Sequence, residues 1–95
     1  MNLDKVFYRS DRVVSRKIVD ELILVPIRSN VAEMDSLYTL NDVGARIYEL
    51  VDGTRSVREI CDAIHQEFDV SREQAEADVV EFIEKLLSIG SIAEE

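Results

Sequence analysis

Tryptophan is absent from this 95-residue chain, which carries one Cys, one Pro, one His and three Gly. Three Phe and three Tyr are the whole aromatic complement, so the core has to be built mainly from Val, Ile, Leu and Ala. The lone Cys61 excludes an internal disulfide, which suits a reducing compartment. Cys61 and His65 stand four apart on one helical face, but two ligands do not make a metal site. No apolar run approaches the ~20 residues that span a bilayer. Residues 1–12 lack the apolar stretch of a secretory signal. A cytoplasmic chain with no membrane partner is therefore expected. Basic residues are also scarce: 11 Lys and Arg face 20 Asp and Glu, a net charge of −9. The imbalance is uneven. Residues 1–28 hold six basic and four acidic side chains, whereas residues 29–95 hold five and sixteen. Such a field repels phosphate backbones and counts against nucleic acid as a partner.

What is present is patterned for one small domain: 46% hydrophobic and 33% charged residues, a globular balance. Residues 1–11 show no period and are expected to form a flexible arm ahead of a domain at 12–95. Val13, Val14, Ile18 and Val19 give a weak strand signal. Leu22-Ile23-Leu24-Val25 is an apolar, β-branched run before Pro26, the best strand in the chain. Leu37-Tyr38-Thr39-Leu40 alternates like a strand. A three-stranded antiparallel meander is predicted at 12–19, 21–27 and 33–40.

Three capped helices follow. Asn41 is a good N-cap, and Val43, Ile47, Leu50 and Val51 recur on one face before Gly53, a stop signal. Ser56 with Glu59, and Ser71 with Gln74, have capping-box spacing. Val57, Ile60, Cys61, Ile64 and Phe68 form the second apolar face. The third helix is expected to run to about Ile89, with Ala75, Val79, Val80, Phe82, Ile83, Leu86 and Leu87 as a stripe wider than one core face needs. Ser91 to Ala93 is expected as a short terminal strand. The fold class is thus α+β and winged-helix-like: an N-terminal three-stranded antiparallel sheet followed by a three-helix bundle.

The run Tyr38-Thr39-Leu40-Asn41-Asp42-Val43-Gly44, the run Ile47-Tyr48-Glu49-Leu50-Val51-Asp52-Gly53, then Ser56-Val57-Arg58-Glu59-Ile60, and the ending Asp78 to Gly90 resemble the PqqD-like family. Glu21 to Ile27 also fits the second strand of many members. The resemblance covers about residues 12–92. It implies a winged-helix-like RiPP recognition element. Such domains bind the leader of a ribosomally made precursor peptide and present it to a modifying enzyme, commonly a radical S-adenosylmethionine protein. It also implies that the leader adds as a strand along Met34, Asp35, Ser36, Leu37, Tyr38, Thr39 and Leu40. On the facing helix it implies contacts to Arg72, Ala75, Glu76, Val79, Phe82 and Ile83. The connection from Arg28 to Ser36 is longer than in the pyrroloquinoline-quinone member.

No nucleophile–base pair or phosphate-binding loop can be assembled, so the chain is expected to be a binder rather than an enzyme and to need no cofactor of its own. Cys61 reads as a small buried hydrophobe, Tyr48 as core, and the carboxylates of the last two helices as a solvated face. Gly44 inside a helix costs about 1 kcal/mol against Ala, which a close approach by another element would explain. Two rival readings stand beside peptide recognition. One is a winged-helix DNA-binding regulator, opposed by the five carboxylates on the third helix against Arg72 and Lys85. The other is an adaptor that homodimerises through the broad apolar stripe.

Overall fold

A computed structural model describes residues 1–11, 13–18, 21–26 and 38–95. The chain order is β1 (Val6–Arg9), β2 (Val13–Ile18), β3 (Glu21–Pro26), β4 (Tyr38–Leu40), α1 (Asp42–Leu50), β5 (Asp52–Ser56), α2 (Val57–Glu67), α3 (Arg72–Ser88) and β6 (Ile92–Glu94). The predicted meander is the antiparallel sheet β2-β3-β4. Val14 faces Val25 across its first pair, and Leu22 faces Leu40 across its second. Residues 33–37 of the predicted third strand, and the connection before them, lie outside the described residues.

A second antiparallel sheet, ordered β5-β1-β6, was not anticipated. Val6 to Arg9, expected within a flexible arm, form its central strand. Tyr8 lies opposite Asp52 on one side and Ala93 on the other. Phe7 is 2% exposed and belongs to the core. Burial of that ring, together with backbone pairing on both edges, outweighs the entropy that would keep a terminal segment loose.

Strand β5 is irregular. Its register with β1 shifts between Val6 and Tyr8, and Gly53 there takes φ +85°, a conformation that glycine adopts without strain. The Asp52 carboxylate organises the shift. It accepts from the Thr54 amide at 3.0 Å, the Thr54 hydroxyl at 2.8 Å and the Arg55 amide at 3.2 Å, and it also pairs with the Arg55 guanidinium.

The helix starts follow the caps. Asn41, Ser56 and Ser71 each accept a backbone N–H from the first turn. Ser56 and Glu59 make the full reciprocal box. The Ser71 box is only half made, because the Gln74 amide group turns away and donates to Asp78 Oδ1 at 2.8 Å. Helix α3 ends where Gly90 adopts φ +75°. The Gly90 amide donates to the Leu87 carbonyl, and the Ser91 amide and hydroxyl both donate to that of Leu86. This closed end turns the chain into β6.

Both sheets and the helices contribute to one core. Leu24 and Leu40 enter from the first sheet, Phe7 and Ile92 from the second, and Ile47, Ile60, Ile64, Val79, Ile83 and Leu86 from the helices. Cys61 is fully buried. Burial pushes its thiol pKa up, against the smaller opposing pull of Arg72, so it packs as a small hydrophobe. Tyr48 is also core, with the Arg9 guanidinium 5.8 Å from its ring centroid.

Two outcomes test these assignments. Phe7→Ala should lower stability by about 3 kcal/mol in urea unfolding; unchanged stability would return residues 6–9 to a loose arm. Hydrogen bonds from Thr54, first the amide and then the hydroxyl, hold the Asp52 carboxyl down at about 2 from 3.8. Its stabilising contribution is therefore complete above pH 3.8 and is lost as pH falls through about 2. A carboxyl-carbon NMR titration of Asp52 should give that low midpoint, and a midpoint near 3.8 would show the carboxylate to be unbonded.

Candidate binding groove

Strand β4 pairs with β3 on one side. Among the described residues nothing pairs with its other edge. An open β edge offers alternating N–H and C=O groups to an incoming strand. Beside β4 a cleft of about 380 Å³ opens between the start of α1 and the middle of α3. Its floor is apolar: Leu40, Val43, Gly44, Ile47 and Phe82. Its rim is polar: Thr39 and Asn41 on one side, and Asp78, Glu81 and Lys85 on the other.

The width of this groove is set by Gly44. A Cβ built there would lie 3.1 Å from Phe82 Cζ and 3.2 Å from Asn41 Oδ1. The Phe82 ring therefore rests against bare helix backbone. The same Asn41 oxygen accepts from the Gly44 amide at 2.8 Å, which fixes where α1 begins. The close approach that a helical glycine suggested is thus the α3 aromatic ring. It brings a half-buried Phe82 to the groove floor while Ile47 behind it stays in the core.

The predicted site residues fall into distinct places. Tyr38, Thr39 and Leu40 are the described part of the edge strand, whereas Met34, Asp35, Ser36 and Leu37 lie outside the described residues. Phe82 lines the groove. Ala75, Val79 and Ile83 do not reach a surface: each is 0% exposed and packs inward, so they back the groove rather than line it. The reason is angular. At 100° per residue these three share one inward face of α3, and Phe82 lies at the border of that face. Arg72 and Glu76 sit away from β4. The Arg72 guanidinium reaches Asp62 Oδ1 at 3.1 Å and Glu76 Oε2 at 3.6 Å, pinning the start of α3 to α2. Sequence reasoning missed Asn41, Val43, Gly44, Ile47, Asp78, Glu81 and Lys85 as lining residues. Gly44 inside an amphipathic helix was the signal that could have found them.

Among the described residues no group of three or more His, Cys, Asp and Glu side chains is placed to hold a metal ion. No helix among them is long and apolar enough to cross a membrane. What the groove offers is shape, a backbone edge and a charged rim.

Comparison with known proteins bears on the same region. The sequence profile of Coenzyme PQQ synthesis protein D (PqqD) matches residues 21–92. Among solved structures, one described as TbiB1 in complex with the TbiA(beta) leader peptide is 32% identical, covers 90% of this chain and 93% of that one, and superposes with a TM-score of 0.73. Another, described as lasso peptide synthetase B1 complexed with the leader peptide, is 21% identical over 92% of this chain and 96% of that one, with a TM-score of 0.75; at that identity the likeness is one of fold. No curated protein matches the chain.

Gly44→Ala tests the ring contact. Helix propensity favours the change by about 1 kcal/mol, and displacement of Phe82 opposes it. Urea unfolding should show a net effect within about 0.5 kcal/mol of zero, with shifted Phe82 ring resonances. A full gain of about 1 kcal/mol with unmoved ring signals would mean that the two helices do not constrain each other.

Proposed function

The chain belongs to the PqqD family, and from that premise we propose that it is a non-catalytic recognition subunit that captures the leader of a ribosomally made precursor peptide for a separate modifying enzyme. One observation carries this reading: the edge of β4 that is unpaired among the described residues runs beside an apolar groove floored by Phe82. It supports strand addition, in which backbone hydrogen bonds along β4 supply affinity and the groove selects side chains. The leader complexes described for two proteins of the same fold support it as well. Tyr38, Thr39 and Leu40 supply the edge in this account. Phe82 and Val43 receive an apolar leader side chain, and Asp78, Glu81 and Lys85 set the charge that its neighbours must carry. A cytoplasmic setting goes with this reading, because a ribosomal product is met there and Cys61 is kept as a buried thiol.

The test is an amide-NMR titration of the labelled chain with the leader peptide of the precursor encoded nearest to it. Shifts should concentrate at residues 38–44 and at residues 78–85. N-methylation of the leader at alternate positions removes donors facing β4. Each such change should weaken binding roughly fivefold, about 1 kcal/mol per hydrogen bond, while methylation at the intervening positions changes little. Phe82→Ala should weaken it about tenfold. Equal tolerance of N-methylation at every position would rule out strand addition along β4.

A further inference from the structure

Helix α3 has a second usable flank. Glu73, Glu76, Ala77 and Val80 combine with Met1 and Leu3 to outline another cleft, of about 410 Å³. On the helical wheel these α3 residues fall on the side away from Asp78, Glu81 and Lys85, with the buried face of Ala75, Val79 and Ile83 between the two flanks. The cleft wall is held in place rather than loosely draped. The Arg58 amide donates to the Leu3 carbonyl at 2.8 Å, and the Asp4 carboxylate takes the Arg58 guanidinium at 3.2 Å. Leu3 itself packs against the core.

The flank is both apolar and acidic. Four large hydrophobic side chains among the described residues are at least 36% exposed, and two of them, Met1 at 47% and Leu87 at 36%, lie on this side. Leu87 follows Val80 by two helical turns on the same face. Glu73 and Glu84 have no ion-pair partner among the described residues. Arg72, the cation next to Glu73, is committed to Asp62 and Glu76. No Lys or Arg lines the cleft, and the Met1 amine is the one cationic group among its lining residues.

We propose that this flank docks the modifying enzyme, through a segment that places an apolar side chain in the cleft between Lys or Arg neighbours. The inference rests on the leader-binding reading above. Charge decides the occupant: a second copy of this chain would bring the same carboxylates to the same place, whereas a basic segment neutralises them. The leader, bound on the opposite flank, leaves this one open. One helix, about 10 Å across, then separates the peptide from the enzyme that works on it, and both can be held at once.

The experiment measures the affinity of the leader-bound chain for the modifying enzyme encoded beside the precursor, by calorimetry at two salt concentrations. It is repeated with the double variant Glu73→Gln, Ala77→Lys, which changes exposed positions only. Wild-type affinity should fall with salt. The variant should bind the enzyme at least tenfold more weakly and bind the leader as wild type does. Enzyme affinity equal to wild type in the variant would overturn the proposal, as would a wild-type chain that binds leader but not enzyme. Failure of leader binding in the wild type would instead remove the reading it rests on. Enzyme docking to the leader-free chain, weakened by the same variant, would still uphold the cleft as an interface. A matching amide-NMR spectrum of the variant shows that it has folded.

Discussion

The pairing of β1 on both of its edges is the constraint on which the rest of this molecule depends. Four residues, Val6 to Arg9, join the segment after α1 to the segment after α3. Without that strand, β5 would be an unsupported loop of turn-forming residues and β6 a frayed end. With it, the start of α2 and the end of α3 are both anchored to one sheet. The Val57 amide donates to the Lys5 carbonyl and the Glu95 amide to that of Val6, extending the same attachment past the strand ends. Backbone bonds of this kind each contribute modestly, but leaving their groups buried and unmade is costly. The sheet therefore behaves as one unit that holds the helices in a fixed relation.

That fixed relation is what gives the groove its shape. Helix α3 is long, its inner face is fully buried, and its end is closed by Gly90 and Ser91 against β6. Its position relative to α1 is then set where the Phe82 ring meets Gly44. Strand β4 leads directly into the Asn41 cap, so the edge that would receive a peptide and the helix that floors the groove are continuous in the chain.

Much of this was legible in the sequence where the signals are local. Asn41, Ser56 and Ser71 announce their helices because each cap acts within one turn, and Leu22 to Val25 announces β3 by its apolar run. The resemblance in Tyr38 to Gly53 points to the family from the sequence alone. Strand β1 was not legible, because its partners are Asp52–Ser56 and Ile92–Glu94, far away in the chain, and a four-residue run carries no period of its own. Strand β5 was hidden for a related reason: Asp-Gly-Thr-Arg-Ser reads as a turn and extends only because β1 lies beside it. In the site, periodicity marked α3 as broadly apolar but did not divide it. Ala75, Val79 and Ile83 differ from Phe82 by their angle around the helix, and only the packing of α2 against α3, with Gly44 of α1 beside Phe82, decides which of them is covered.

An outer edge of β4 left unpaired among the described residues is also an invitation to the wrong partner. Two copies of this chain could extend each other's sheets through β4, the geometry from which edge-to-edge aggregates grow. A net charge of −9 works against that encounter at long range, because copies repel before their edges meet. The acidity of the helices thus acts as colloidal protection for that edge. Its shielding by salt is a reason to expect that the free chain is harder to keep dispersed than the occupied one.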